Sequence, residues 1–291
     1  MKDIKGTTRV CGLVGNPVEH SISPLIHNTL AEIENIDMAY VTFRCDKGMV
    51  ETGVKGAHAL NVLGMNVTVP YKQEVLASLD GIDELAAAIG AVNTLVRTEK
   101  GYKGYNTDIL GLKRELAECG IELAGNDVIL LGAGGAARAI AFLCASEKAA
   151  SVSILNRTVE KAEDIAQAVK KALSYEEIAA YSIEDYAKLA GKEYIIIQTT
   201  SVGLAPNVED VVIGDDAFYD MAKAGVDIIY NPSVTMFMKK IMEKGKPAYN
   251  GLKMLLYQGV AAFELWNQVQ VSEEEAAVVY ERMKREMNII E

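Results

Sequence analysis

The chain has 291 residues, half of them hydrophobic and 24% charged, with a formal net charge of −11. At about 150 residues per domain that length suggests two domains, and the apolar share supports a sizeable core and argues against disorder. The acidic balance speaks against a nucleic-acid or anionic-membrane partner, so an anionic ligand has to be met by local cations. Cys11, Cys45, Cys119 and Cys144 show no CxxC spacing; a zinc ribbon or redox dithiol is not indicated, no metal site is expected, and reduced core thiols in a cytosolic protein are the simplest reading. Residues 1–5 lead into no signal-peptide apolar stretch, and no apolar run approaches the roughly 18 residues of a membrane span. A soluble cytoplasmic protein is expected.

In chain order, residues 9–14 read as a strand ending at the turn signal Gly15-Asn16-Pro17. His20-Ser21-Ile22-Ser23-Pro24 precedes a helical pattern over 25–35, in which Ser23 makes an N-cap followed by proline at the first helical position. Ser21 has no such local role, and polar groups crowded before a helix N-terminus suggest an anion site. His20 and His27 lack a carboxylate or Cys at metal-ligand spacing and read as structural. A strand over 39–44 and a helix over 47–60 continue a β–α alternation, which implies a parallel sheet covered by helices. Asn66-Val67-Thr68-Val69-Pro70-Tyr71-Lys72 follows as a short strand with Asn66 and Thr68 on one face, stopped by Pro70. An amide, a hydroxyl and the Lys72 ammonium thus converge at a strand tip. Helical runs over 73–79 and 84–89 lead to Gly90-Ala91-Val92-Asn93-Thr94, which brings a second amide to the start of a strand. Asn106-Thr107-Asp108 opens a helix over 109–119; Asp108 sits where the helix dipole stabilises a carboxylate, so plain capping is its local alternative.

Residues 128–131 are a buried-strand run followed at once by Gly132-Ala133-Gly134-Gly135-Ala136-Ala137-Arg138 and an Ala-rich helix. This is the dinucleotide fingerprint in its strand–turn–helix setting: Gly132 for the tight turn, Gly134 for close approach of backbone N–H groups to a pyrophosphate, Ala137 for close helix–sheet packing. The next strand, 151–155, ends in Asn156-Arg157-Thr158, with Lys161 beyond and no acid at the tip to hold a ribose 2′-hydroxyl. A guanidinium forks onto a 2′-phosphate, so NADP is preferred over NAD. Strands over 193–198 and 226–230 end in Thr199-Thr200-Ser201-Val202-Gly203 and Asn231-Pro232, and strand C-terminal ends are where open α/β sheets hold ligands. After a helix over 235–244, Gly251 leads into a nearly all-apolar helix over 252–266 interrupted by Gln258, which either bonds backbone or reaches a ligand. A last helix over 272–287 starts on a Ser N-cap and a run of glutamates.

Taken together, these stretches resemble the shikimate dehydrogenase family from end to end and in the family's order. His20 to Pro24 resembles the serine motif, Asn66 to Lys72 the N-V-T-x-P-x-K motif, Gly90 to Thr94 G-A-V-N-T, and Asn106 to Asp108 N-T-D. Gly132 to Ala139 and Asn156 to Thr158 are similar to the NADP-binding pair, and Gly251 to Trp266 to the motif G-x-x-M-L-x-x-Q-G-x-x-A-F-x-x-W. The resemblance implies two α/β domains: a discontinuous substrate domain of residues 1–108 and 250–291, with a mostly parallel sheet, and an inserted Rossmann-type NADP domain of residues 109–249. It implies reversible NADPH-dependent reduction of 3-dehydroshikimate to shikimate, in aromatic amino-acid biosynthesis, with Lys72 and Asp108 as acid–base pair. Ser21, Ser23, Asn66, Thr68, Lys72, Asn93, Asp108, Tyr230 and Gln258 match substrate positions. Gly132, Ala133, Gly134, Gly135, Ala136, Asn156, Arg157, Thr158, Lys161, Thr200, Ser201, Val202, Gly251 and Met254 match cofactor positions. Gln198, Leu204 and Lys161 depart from residues common in the family, which bears on the strength of NADP preference. The alternatives are a dual-specificity quinate/shikimate dehydrogenase, including an NAD-linked form, and a non-catalytic shikimate or NADPH sensor. A homodimer is left open.

Overall fold

The β–α alternation builds two six-stranded sheets, each in its own unit of the computed structural model, which describes residues 4–289. Chain contacts group the residues up to Gly111 with those from Leu255 onward as unit one, and Leu112–Met254 as unit two.

Unit one starts with β1 (Arg9–Gly15), α1 (Ser23–Ile33), β2 (Met38–Arg44), α2 (Val50–Ala59) and β3 (Gly64–Val67). A 3-10 turn at Glu74–Ser78, β4 (Gly81–Ile82), α3 (Glu84–Ile89), β5 (Thr94–Arg97) and β6 (Tyr102–Tyr105) follow, then α4 (Thr107–Glu118). The sheet order is β2-β1-β3-β5-β6-β4, mostly parallel, with β5 alone running against both neighbours. Val67, Tyr71, Val75, Val92, Leu95 and Tyr102 form part of a buried apolar cluster beneath the strand tips.

Unit two is β7 (Asp127–Leu131), α5 (Gly135–Ser146), β8 (Ser151–Asn156), α6 (Val159–Leu173), β9 (Ile178–Ser182), a 3-10 turn at Ile183–Leu189, and β10 (Tyr194–Gln198). It continues through α7 (Asp216–Tyr219), β11 (Ala222–Asp227), α8 (Met236–Glu243) and β12 (Ala248–Asn250). Every pairing is parallel and the order is β12-β11-β10-β7-β8-β9. The chain first winds outward on one side of β7 and then on the other, so the direction reverses between β7 and β10. That reversal is where doubly wound sheets open a ligand crevice.

The last helices, α9 (Leu252–Asn267) and α10 (Glu273–Glu286), return the chain to unit one. Trp266 of α9 packs against Gly64 of β3: a Cβ on Gly64 would meet the indole at 2.2 Å, and the indole N–H donates to Leu95 O at 2.9 Å. Ser272 caps α10, as read from sequence, and with Glu275 it closes a reciprocal capping box. No helix among the described residues is long and apolar enough to cross a membrane.

Several expectations are corrected. Strand β3 ends at Val67, so Thr68 lies in the following turn, its N–H on Val14 O, and does not share a strand face with Asn66. The N-cap of α1 is Ile22, without a side-chain cap; Ser23 is the first helical residue and Pro24 the second. Helix α2 begins at Val50 because Gly48, at φ +80°, and a turn from Met49 N–H to Asp46 O delay it. Strand β11 covers Ala222–Asp227, not 226–230, because the Asp227 carboxylate takes the Ile229 N–H out of the ladder. The two divisions between units fall within α4 and the first turn of α9, a few residues beyond the 108/109 and 249/250 junctions read from sequence. At the second junction the cause is visible: β12 pairs with β11, and Gly251 donates to Ile229 O and packs on the Ile228 backbone.

Candidate active site

Three separate stretches of unit one meet in one hydrogen-bonded group. Lys72 follows the turn after β3, Asn93 precedes β5, and Asp108 lies in the first turn of α4. The backbone sets them side by side: Val92 N–H donates to Lys72 O at 2.8 Å and Asn93 N–H to Tyr105 O at 3.0 Å. Lys72 Nζ then donates to Asp108 Oδ2 at 2.7 Å, and Asn93 Nδ2 donates to Asp108 Oδ1 at 2.9 Å. Both carboxylate oxygens are thereby engaged by side chains, and Asp108 acts as more than a helix cap. The side chains of Lys72 and Asp108 are 34% and 22% exposed, so the pair is shielded yet reachable. An ammonium has three N–H donors; one is held by Asp108, and others can face a ligand oxygen.

Asn93 is oriented from behind. Its Oδ1 accepts from the Thr107 backbone N–H at 2.7 Å, from Thr107 Oγ1 at 3.2 Å and from Thr94 Oγ1 at 3.0 Å. Those bonds fix which end of the amide faces Asp108. Asn66, 5% exposed, is fully occupied: Oδ1 accepts from Tyr40 Oη at 2.7 Å and from His27 Nε2–H at 3.1 Å, while Nδ2 donates to Asn93 O at 3.3 Å and Thr94 Oγ1 at 3.1 Å. It touches a ligand only by giving up one of these. Tyr40 and His27 are stacked at 4.2 Å, and burial drives the His27 pKa down to about 3, so the ring stays neutral with Nδ1 unpartnered. The local pattern around His27 and Tyr40 carried no sign that they brace Asn66; a buried histidine at helical spacing reads as core. Ser21 and Ser23 share a hydrogen bond at 3.1 Å, and the Ser23 N–H donates to Ser21 Oγ at 3.2 Å. Gln258 Nε2 donates to Leu255 O at 2.9 Å, the backbone option of the two read from sequence, which leaves Oε1 for another partner.

Unit two shows a different kind of site. Gly132 has φ +108°, which favours glycine, and a Cβ there would lie 2.7 Å from Thr200 Cγ2 and 2.8 Å from Thr199 Oγ1. Gly134 caps α5 in extended conformation with no side-chain hydrogen bond, and a Cβ on Gly134 or Gly135 would meet open space. The first N–H groups of α5 are therefore uncapped by side chains and open, the arrangement that receives a phosphate. At the β8 tip Asn156 Nδ2 donates to Thr158 O at 2.8 Å, shaping the turn that presents Arg157. Arg157 and Lys161 are exposed and pair with no carboxylate among the described residues. Thr200, Ser201 and Val202 form the turn after β10, beside Gly132. Tyr230 follows β11 half-buried, its pKa raised by burial. Gly251 and Met254 lie at the end of unit two, the former buried.

A chain that carries side chains able to move a proton and a turn shaped for a pyrophosphate meets the needs of a nicotinamide-nucleotide-dependent dehydrogenase, and the doubly wound sheet places it in that class. The comparisons narrow it. Residues 13–95 match the family model for the shikimate dehydrogenase substrate binding domain, 115–215 that for shikimate/quinate 5-dehydrogenase, and 251–277 that for the shikimate 5′-dehydrogenase C-terminal domain. A shikimate dehydrogenase (NADP(+)) of Caldanaerobacter subterraneus subsp. tengcongensis is 41% identical over 98% of this chain and 99% of its own. The shikimate 5-dehydrogenase of Thermus thermophilus, solved with NADP(H) and shikimate, is 30% identical with a TM-score of 0.83, covering 94% of this chain and 99% of that one. That of Listeria monocytogenes, solved with shikimate and NAD, is 30% identical with a TM-score of 0.90, covering 97% and 99%. The chain belongs to the shikimate dehydrogenase family.

Proposed function

We propose that the protein catalyses the reversible NADPH-dependent reduction of 3-dehydroshikimate to shikimate, a step of aromatic amino-acid biosynthesis, in the cytoplasm. The observation that carries this reading is the Lys72–Asp108–Asn93 group, a proton-bearing ammonium 2.7 Å from a carboxylate that is itself oriented by an amide. Turning a ketone into an alcohol adds a hydride to carbon and a proton to oxygen. When bound, NADPH supplies the hydride. Lys72 holds a proton at Nζ where it can pass to the oxygen of the ring carbonyl, and Asp108 keeps that ammonium aimed. In the reverse direction the same pair takes up the hydroxyl proton. A positioned acid–base group of this kind contributes roughly 10²–10⁴-fold.

Ser21, Ser23, Thr68, Asn93 and Gln258 would bond the carboxylate and ring hydroxyls, with Asn66 as the braced wall behind Asn93, and Tyr230 matches a residue that lines the substrate pocket in the family. The open α5 N-terminus fits a pyrophosphate through residues 132–136, with Thr200 to Val202, Gly251 and Met254 along the remainder of the cofactor. Arg157 and Lys161, unpaired and exposed, fit a 2′-phosphate, a charge-assisted contact worth about 1.5–3 kcal/mol, or roughly 10- to 100-fold against NAD. The free buried thiols Cys11 and Cys144 suit a reducing compartment.

The test is a steady-state comparison of shikimate and quinate, each with NADP and with NAD, followed by the absorbance of the reduced nicotinamide. Turnover with shikimate and NADP far above the other three pairs is expected. Quinate oxidised as well as shikimate would replace the reading with the dual-specificity one, and tight shikimate binding without turnover would replace it with a sensor.

A further inference from the structure

The mechanism leaves two buried acids of unit two, Glu115 and Asp227, without a part. Asp227, the last residue of β11, is fully buried, and no ion pair with it exists among the described residues. A carboxylate in that position is costly unless hydrogen bonds replace its water, and here they do. Oδ2 accepts from Thr235 Oγ1 at 2.7 Å, and Oδ1 accepts from the Ile229 N–H at 3.0 Å and from Gln198 Nε2 at 3.5 Å. Thr235 also caps α8 through the Met238 N–H. One carboxylate therefore fixes the whole connection from the end of β11 to the start of α8.

Gln198 extends this to the neighbouring loop. It ends β10 in register with Asp227 of β11 on one side and Leu131 of β7 on the other. Its Nε2 donates to Val202 O at 3.0 Å and its Oε1 accepts from the Thr200 N–H at 2.6 Å. The turn 199–202 is thus wound around one amide. On its far side Thr199 Oγ1 and N–H both donate to Leu131 O, at 2.7 and 3.0 Å, one residue before Gly132. A continuous set of bonds runs from Asp227 through Gln198 and this turn to the edge of the glycine turn.

This set spans the reversal point of the sheet, on the opposite side of Gly132 from the β8 tip that carries Arg157. A dinucleotide seated by its pyrophosphate on α5, with its 2′-phosphate at Arg157, has only the β10 and β11 side left for its nicotinamide half. We propose that Gln198 and Asp227 are positioning residues that hold the 199–202 turn in the shape that receives the nicotinamide half of the cofactor. The proposal rests on the cofactor reading above. Burial raises the Asp227 pKa to about 6, against the pull of its three hydrogen bonds.

The experiment compares the intact wild-type protein with Gln198→Asn, Gln198→Leu and Asp227→Asn. Two ligands are titrated, NADPH by its fluorescence and adenosine 2′,5′-bisphosphate, which lacks the nicotinamide half, by calorimetry. Loss of one buried amide contact is expected to weaken NADPH about tenfold, with adenosine 2′,5′-bisphosphate binding and the KM for shikimate unchanged. A merely structural role would weaken both ligands together or neither, and either result overturns the clamp. Gln198→Leu removes the amide and carries the test if Asp227→Asn does not fold; Gln198→Asn keeps an amide one methylene shorter and is expected to bind NADPH between Gln198→Leu and the wild type. Wild-type protein that binds neither ligand would overturn the cofactor reading itself; wild-type binding with unchanged variants would overturn the clamp alone.

Discussion

The two units prepare polar sites by opposite means. In unit one the groups are side chains that bond one another: Asp108 is held by Lys72 and Asn93, Asn93 by Thr107 and Thr94, and Asn66 by Tyr40 and His27. In unit two the groups are backbone N–H donors at an uncapped helix start and exposed cations at a strand tip. The first arrangement aims a proton but couples every member to the rest. The second leaves each contact separable. A reaction that has to place one proton on one oxygen needs the first, and a long anionic cofactor is well served by the second.

The contrast extends to pH. His27, buried in unit one, has its pKa lowered to about 3, whereas Glu115, buried in the part of α4 that belongs to unit two, has its pKa raised to about 8, chiefly by burial. Below about 6.5 the unfolded chain binds the His27 proton and the folded chain does not, so stability falls as pH drops toward 3. Between about 4.5 and 8 the folded chain keeps the Glu115 proton and the unfolded chain loses it, so stability falls as pH rises. At 1.36 kcal/mol per pKa unit each contribution is on the order of 5 kcal/mol across its range. Hydrogen exchange followed from acid to alkaline pH should therefore show unit one loosening first in acid and unit two first in base; the two loosening together at both extremes would contradict this.

Smaller effects separate the two kinds of site. Lys72→Ala is expected to lower kcat by at least about 100-fold while leaving NADPH affinity within a factor of about two, as read by steady-state kinetics and fluorescence titration. Near-normal turnover would remove Lys72 from the mechanism. Arg157→Ala is expected to lower kcat/KM with NADP by roughly 10- to 100-fold and to leave the value with NAD unchanged. An equal loss with both cofactors would place Arg157 in the fold and not in the choice of cofactor.

The sequence made the residues with strict local demands readable. Gly132 is pinned by a positive φ and by Thr200 close behind it, and such a position admits few other residues. Lys72, Asn93 and Asp108 each stood out as a polar group at a strand tip or helix start. Their mutual bonds did not, because they join positions 36 and 15 residues apart. Tyr40 and His27 stayed hidden for the same reason: a tyrosine in a strand and a histidine in a helix look like core until both are seen to donate to Asn66 Oδ1. The strand after residue 222 was placed late because Ile228 and Ile229 extend the apolar run, while the bond that ends the strand comes from the side chain of Asp227. Strands β9 and β12, partly exposed at the sheet edges, carry mostly Ala, Tyr and polar residues and lack the run of Val, Ile and Leu that marks the central strands.

On the proposed reading, proton transfer belongs to the Lys72 group of unit one and cofactor choice to the Arg157 tip of unit two, and among the described residues the two groups share no hydrogen-bond or ion-pair partner. A double-mutant cycle checks this division: kcat/KM for NADP and shikimate in the wild type, Lys72→Ala, Arg157→Ala and the double variant. Independent sites add within about 0.3–0.5 kcal/mol, so the double variant should lose the product of the two single fold-changes. A double variant no worse than Lys72→Ala alone would contradict the division.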